Sequence, residues 1–355
     1  MPFRPSAAGT RRVLLTLFVA TLAGVLAQAL RVPLPWMIGP LFAVAGLCLA
    51  GVKLQPLSGG RKAGQWAIGT ALGLYFSPAV VAELLAHAWL VAGIALAALA
   101  VGLVCALLTR RLAGVDAPTA FFASLPGGAS EMATLAERWG GAVDRIAAAH
   151  ALRVLLVVSL VPFALTLGGA RGTDVFVPLA QEVVWARFPL LLAASLAGVA
   201  VFRVLRIANG WVLGPLLGVG VMTAFDQPLS ALPSWVVNGG QLLIACPLGC
   251  RFSPAFFRAA PRFIAVAALS ALLAVLLGAA LAWGFGALSG VPVASLVLAA
   301  APGGVAEMCI TAKVLQLGVP LVTACHVLRV AVLTLGAPAA FALFCRVDRG
   351  VLDPR

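Results

Sequence analysis

Leu125-Pro126-Gly127-Gly128-Ala129-Ser130-Glu131-Met132 interrupts a long apolar segment, and 176 residues later it returns as Ala301-Pro302-Gly303-Gly304-Val305-Ala306-Glu307-Met308. Proline removes a backbone donor and glycine tolerates backbone angles that other residues avoid. A helix running through either segment is therefore predicted to unwind there and restart near Gly128 or Gly304. A restarted helix presents free N–H groups and a partial positive charge at its N-terminus. Glu131 and Glu307 each stand three residues beyond the second glycine, inside apolar surroundings. Ionisable side chains in such segments are costly and usually line a cavity or an ion path.

The similarity extends outward from this motif. LRVPLPWMIGPL from Leu30 returns as LRIANGWVLGPL from Leu205, and QWAIGTALGLYFSPA from Gln65 returns as QLLIACPLGCRFSPA from Gln241. His150 and His326, Arg153 and Arg329, and Pro162 and Pro338 keep the same spacing. Compositional bias would match Ala with Leu-rich runs, but not Trp, His, Arg and Pro-Gly-Gly in register. The chain therefore reads as residues 1–170, a first repeat, a connector at 171–186, a second repeat at 187–346 and a tail at 347–355.

Of the 355 residues, 63% are hydrophobic and 10% charged, against about 25% charged in an ordinary soluble domain. Cytosolic enzymes, disulfide scaffolds and disordered chains are excluded on that ground. Backbone facing lipid must satisfy its own hydrogen bonds, and the long Ala/Leu/Val runs lack the strict alternation of a membrane β-barrel. The fold expected is an all-α integral membrane protein. Its 24 basic and 11 acidic residues give a net charge of +13, which would suggest nucleic acid in a soluble protein. Here the basic residues fall as pairs between apolar runs, as in Arg61–Lys62 and Arg110–Arg111. That is the positive-inside pattern, so no nucleic acid is expected as a partner.

Loop charge also orients the halves. In the first repeat, basic residues precede segment 1 and lie between segments 2 and 3 and between 4 and 5; in the second they lie between 1 and 2 and between 3 and 4. Equivalent loops with opposite bias indicate an inverted-topology repeat. Inversion needs an odd number of crossings per half, whereas six apolar segments are countable in each. One segment must then be re-entrant or broken, either the Pro-Gly-Gly segment or the Phe-Ser-Pro-Ala stretch. The expectation is two inverted repeats of five to six apolar segments, about ten crossings, with discontinuous helices at the Pro-Gly-Gly motifs.

Paired interruptions at corresponding positions of two halves point to a substrate or ion site. The candidate residues are Pro126, Gly127, Gly128, Ser130, Glu131, His150 and Arg153, with Pro302, Gly303, Gly304, Glu307, His326 and Arg329. Each Glu either handles substrate or caps its own helix. His150 and Arg153, spaced i, i+3, share a helix face, as do His326 and Arg329. Each Arg either pairs with the neighbouring Glu, anchors an anionic substrate, or snorkels to the interface; each His shuttles protons or packs. Ser130 is matched by Ala306, so one half is expected to contact ligand more than the other. The seven cysteines lie in or beside apolar stretches and read as packing residues. No nucleotide loop, GxSxG or HExxH occurs, so no catalytic residue, metal or cofactor is expected.

The paired PGGxxEM segments, with LPGGASEM…HALR and APGGVAEM…HVLR as their most specific part, resemble the AbrB membrane family with its doubled AbrB domain. Members are often labelled ammonia monooxygenases or AbrB family transcriptional regulators. More distantly, GLYFSPA and PGGASEM look like stretches of the bile-acid:sodium symporter and auxin-efflux group. That resemblance implies inverted repeats whose crossing, discontinuous helices form a site around 126–131 and 302–307. Glu here replaces the symporters' Asn, so H⁺ becomes a candidate coupling ion.

Together these readings predict a multi-pass protein of the bacterial inner membrane, a secondary transporter or exporter of a small anionic metabolite working by alternating access. The alternative is a membrane regulator or sensor that affects gene expression indirectly, without DNA binding or catalysis. The partners expected are the bilayer, a small-molecule or ion substrate and, as an option, a second copy of the chain in a homodimer.

Overall fold

The computed structural model describes residues 7–170, 172, 178, 180–207, 209–254 and 260–352. Among them every regular element is a helix. In order these are α1 (Ala7–Ala29), α2 (Pro35–Leu49), α3 (Gly60–Gly73), α4 (Pro78–Ala86), α5 (Ala88–Ala113), α6 (Ala117–Ser124), α7 (Ala129–Glu137) and α8 (Val143–Leu167). There follow α9 (Phe188–Val204), α10 (Gly210–Ala224), α11 (Ser234–Gly249), α12 (Pro261–Ser289), α13 (Val293–Ala300), α14 (Val305–Leu315) and α15 (Val319–Leu352).

The internal repeat is visible in these boundaries. Both ends of α2 recur in α10, both ends of α6 recur in α13, and α8 and α15 begin at equivalent residues. Leu34 and Asn209, which precede α2 and α10, both adopt the left-handed conformation although their residue types differ. The apolar run expected at 63–86 is divided, since α3 ends at Gly73 and α4 begins at Pro78. Proline at the first helical position costs no hydrogen bond, so Phe76-Ser77-Pro78 closes one helix and opens the next.

Among the described residues, five helices are long and apolar enough to cross a membrane, namely Gly9–Ala29 within α1, α5, α8, α12 and Val319–Asp348 within α15. The count becomes six if the bent pair α3 and α4 is one span. Three more apolar helices, α2, α9 and α10, are shorter; at 1.5 Å per residue, 15 residues cover only about 22 Å of a core about 30 Å thick. An apolar helical architecture of this kind fits a membrane protein.

The chain forms two compact units, and each draws on both sequence halves. The first comprises Met1–Val81 with Phe176–Ala259, the second Ala82–Val175 with Ala260–Arg355. In the first unit α10 packs against α9 and α3, while α2 packs against α1 and α11. The helix backbones touch: a Cβ on Gly69 would lie 2.2 Å from the Val212 carbonyl oxygen, and one on Gly198 would lie 2.0 Å from that of Gly214. Only glycine permits that approach, which is how small residues hold helices together where lipid supplies no hydrophobic drive.

In the second unit α12 packs against α5, α8 and α13, and α15 packs against α5, α13 and α14. The short helices α6 and α7 lie against α8. This unit therefore contains both Pro-Gly-Gly motifs, each flanked by long helices from the two halves.

Candidate functional site

Asp116 starts α6 by accepting the Thr119 backbone N–H at 2.7 Å and the Thr119 hydroxyl at 2.8 Å. The helix lasts only to Ser124, because Leu125 is extended (φ −64°, ψ 132°) ahead of Pro126, as residues before proline are driven to be. The second copy does the same, with Ala301 extended (φ −56°, ψ 135°) after α13. The chain restarts as α7 and α14 immediately after Gly128 and Gly304. Both interruptions therefore fall where the sequence places them.

Each residue type in PGGxxEM has a physical role at the break. A Cβ on Gly127 would lie 2.9 Å from Met132 Cε, and one on Gly303 would lie 2.8 Å from Met308 Cγ. The first glycine thus makes room for a methionine that is wholly buried in both copies. On the second glycine a Cβ would collide with the carboxylate, 1.7 Å from Glu131 Oε2 at Gly128 and 2.0 Å from Glu307 Oε2 at Gly304. Both acids stand at the third helical position and fold back over the residue that caps the helix. Each carboxylate thus places negative charge at the positive end of its helix. Glu131 and Glu307 are both half-buried. The side chain of Ser130 lies outside the described ones.

The other side of each break is held by the histidine and arginine of the next long helix. Arg153 donates from Nη1 to the Leu125 carbonyl at 2.7 Å and from Nη2 to that of Gly127 at 3.3 Å. Arg329 repeats both bonds, to Ala301 at 2.6 Å and to Gly303 at 2.5 Å. His150 Nε2 donates to the Phe122 carbonyl at 2.8 Å, and His326 Nε2 to that of Leu298 at 2.9 Å. Carbonyls at a helix C-terminus lack intrahelical partners and carry partial negative charge. A guanidinium, with five donors in a planar fork, suits two such carbonyls on either side of a proline. Arg153 and Arg329 are only 5% and 2% exposed, so neither snorkels to an interface.

The copies differ at the histidine. In the first, Arg153 Nη2 also lies 3.1 Å from His150 Nδ1. Because Nε2 faces a carbonyl and Nδ1 faces a guanidinium, His150 is the neutral Nε2–H tautomer. In the second copy His326 Nδ1 is buried without a hydrogen-bond partner.

The two breaks meet at one cavity. Pro126 and Pro302 both line one narrow space with room for about one water molecule, walled by Ile94 and Val101 of α5 and by Gly278 and Phe285 of α12. A second space of similar, water-sized capacity lies beside Arg153 and is lined by Thr109, Ser124 and Ser270. Sequence reasoning missed these three hydroxyls. The signal was present as a mismatch between the repeats, since their counterparts are Phe285, Ala300 and Ile94.

A family model described as "Transition state regulatory protein AbrB" matches residues 36–345. The chain is 24% identical over 343 residues to "Uncharacterized protein YhjN" of Bacillus subtilis (strain 168), covering 88% of each chain. It is 26% identical over 321 residues to "Putative regulator AbrB" of Escherichia coli (strain K12), covering 88% of this chain and 90% of the relative.

Proposed function

The chain belongs to the AbrB family, and from that premise we propose that it is a secondary transporter of the bacterial inner membrane, moving a small anionic metabolite by alternating access. The observation that carries this reading is the convergence of Pro126 and Pro302 on one cavity. Two helices are broken at equivalent points, and broken helices are tolerated at membrane depth where they line a cavity. The buried guanidiniums of Arg153 and Arg329 make an anion the favoured cargo, and the carboxylates of Glu131 and Glu307 are the groups able to take up a coupling proton.

The same reading includes two halves inserted in opposite orientations, with about ten crossings. Its support is the basic residues between segments 2 and 3 and between 4 and 5 of the first repeat, which the equivalent loops of the second lack. Reporter fusions at Ser58 and Gln227, in equivalent loops, should report opposite sides of the membrane. Reports from the same side would remove the inversion.

Transport is tested by metabolite flux into proteoliposomes containing wild type, Glu131→Gln, Glu307→Gln or the double variant. Loss of flux in the variants is expected. A substrate carried at the wild-type rate by all three would sink the acidic site.

A second reading, a membrane regulator without transport or enzymatic activity, is favoured by the descriptions of the matching family and the Escherichia coli relative. Under it, transcript changes would persist when Pro-Gly-Gly at 126–128 and 302–304 is replaced by three alanines. Under the transporter reading they would vanish together with flux.

A further inference from the structure

One end of the first unit gathers positive charge without acids to balance it. The Gln55 N–H donates to Thr16 Oγ1 at 3.0 Å, and that hydroxyl donates to the Arg12 carbonyl at 2.8 Å, so the loop before α3 lies beside the start of α1. At the start of α3 the Lys62 ammonium stands 5.9 Å from the ring centre of Trp211, which begins α10. Arg203 near the end of α9 and Arg206 just beyond it immediately precede that helix. Arg251 follows α11 and feels the charge of Arg61; partial burial, and after it that repulsion, lower the Arg251 guanidinium from its ordinary value. The unit's two acids lie elsewhere. Asp226 follows the far end of α10, and the Glu182 carbonyl accepts the Ala231 N–H further along the same connection. Among the described residues the ion pairs are His87–Glu83 and Arg110–Asp348, both in the second unit, so Arg61 and Arg251 repel with no carboxylate between them.

The internal repeat supplies a control. Positions equivalent to Arg61, Lys62 and Arg251 hold Val237, Asn238 and Tyr75, so this part of the fold forms without the charges. Like charges held close together are unfavourable unless an anion from outside joins them. The surroundings select among anions. Val204, Leu205 and Ile207 are 81%, 61% and 45% exposed, interleaved with Arg203 and Arg206. A nucleic acid or a free phosphate would leave those side chains in water. The headgroup boundary of a bilayer takes both kinds, phosphate against guanidinium and acyl chain against leucine. Trp211 fits the same depth, where tryptophan concentrates.

We propose that this end of the first unit binds the phosphate of an anionic phospholipid, with Arg61 and Arg251 as its paired ligands and Lys62 beside them. A guanidinium grips phosphate oxygens two at a time, and one phosphodiester shared by two arginines replaces their repulsion with two attractions. The site belongs to the unit that lacks the Pro-Gly-Gly breaks, and it stands whether or not the chain transports a metabolite.

The test is thermal unfolding of the purified full chain in a neutral detergent, with phosphatidylglycerol or phosphatidylcholine added at equal mole fraction, and with inorganic phosphate as a soluble arm. A ligand that binds only the folded state raises the transition with the logarithm of its concentration above Kd. Wild type should show a saturable rise with phosphatidylglycerol that weakens as salt is added, and no such rise with phosphatidylcholine or with millimolar phosphate. Arg61→Gln and Arg251→Gln should each need about fivefold more phosphatidylglycerol, or about 1 kcal/mol. Both side chains are exposed, and unchanged transitions without lipid show that the variants are folded. Arg31→Gln and Arg187→Gln, exposed arginines beyond the end of α1 and before the start of α9, should match wild type. An equal rise with phosphatidylcholine, unchanged lipid binding in both variants, or an equal loss in the Arg31 and Arg187 controls would overturn the proposal. An equal rise with inorganic phosphate would assign the site to a free anion and overturn the lipid.

Discussion

Arg153 Nη1 lies 2.7 Å from the carbonyl oxygen of Leu125, the last residue before the proline that breaks the first half's short helix. The bond is repeated between Arg329 and Ala301 at 2.6 Å. A buried charge in each half is thus spent on backbone carbonyls that the break itself exposes. Burying an ion costs several kcal/mol after relaxation, and charge-assisted hydrogen bonds return about 1.5–3 kcal/mol each. Arginine and broken helix are therefore mutually dependent.

Replacing either arginine by lysine should separate charge from geometry. An ammonium keeps the charge but cannot span two carbonyls in a planar fork. Arg153→Lys and Arg329→Lys should each destabilise the protein by about 2–4 kcal/mol. The readout is the apparent unfolding temperature in detergent, expected to fall by several degrees. An unchanged transition would mean that the carbonyl bonds contribute nothing.

Alanine at the second glycine of either motif should displace the carboxylate folded over it. Gly128→Ala and Gly304→Ala place a methyl within 2.0 Å of the present Oε2 position. A lost cap costs about 1 kcal/mol, so a modest fall in thermal stability is expected together with a larger loss of flux. Alanine at Gly46, where a Cβ would meet nothing within 4 Å, should instead be neutral or stabilising by about 0.5–1 kcal/mol. Equal behaviour of Gly128→Ala and Gly46→Ala would contradict the capping geometry.

The two histidines should not be equivalent. His150→Phe removes both a bond to Phe122 and an acceptor for Arg153, whereas His326→Phe removes the bond to Leu298 and a buried nitrogen that had no partner. The first change should cost about 1 kcal/mol more than the second. Chemical denaturation of the paired variants, with an Arg153 double-mutant cycle, measures the difference; equal costs would remove the proposed coupling.

Backbone contact in the first unit gives a further check. Gly69→Ala would drive a methyl to 2.2 Å from the Val212 carbonyl, and overpacking of this kind typically costs about 1–3 kcal/mol. A loss of folded yield that Gly46→Ala does not share is the outcome expected. Wild-type yield and stability in Gly69→Ala would show that α3 and α10 separate freely.

Much of the architecture could be read from residues because it rests on local rules. Pro126 and Pro302 stop helices through their own ring geometry, and Gly128 and Gly304 mark the restarts. Glu131 and Glu307 were legible as acids needing a reason, since each stands third in a helix within apolar surroundings. His150 and Arg153 were legible as a pair on one helix face. Their partners were not, because a backbone carbonyl carries no residue-type signature and those of Phe122 and Leu125 lie 28 residues away.

By itself the sequence determined the apolar, helical character of the chain, its duplication and the two interruptions, all of which depend on composition or on a few adjacent residues. Tertiary structure decided that both breaks open on one cavity, that each arginine clamps carbonyls across its break, and that three hydroxyls gather around Arg153 alone. Those facts depend on which distant segments pack together, and packing brings Thr109, Ser124 and Ser270 to one point although no spacing along the chain relates them.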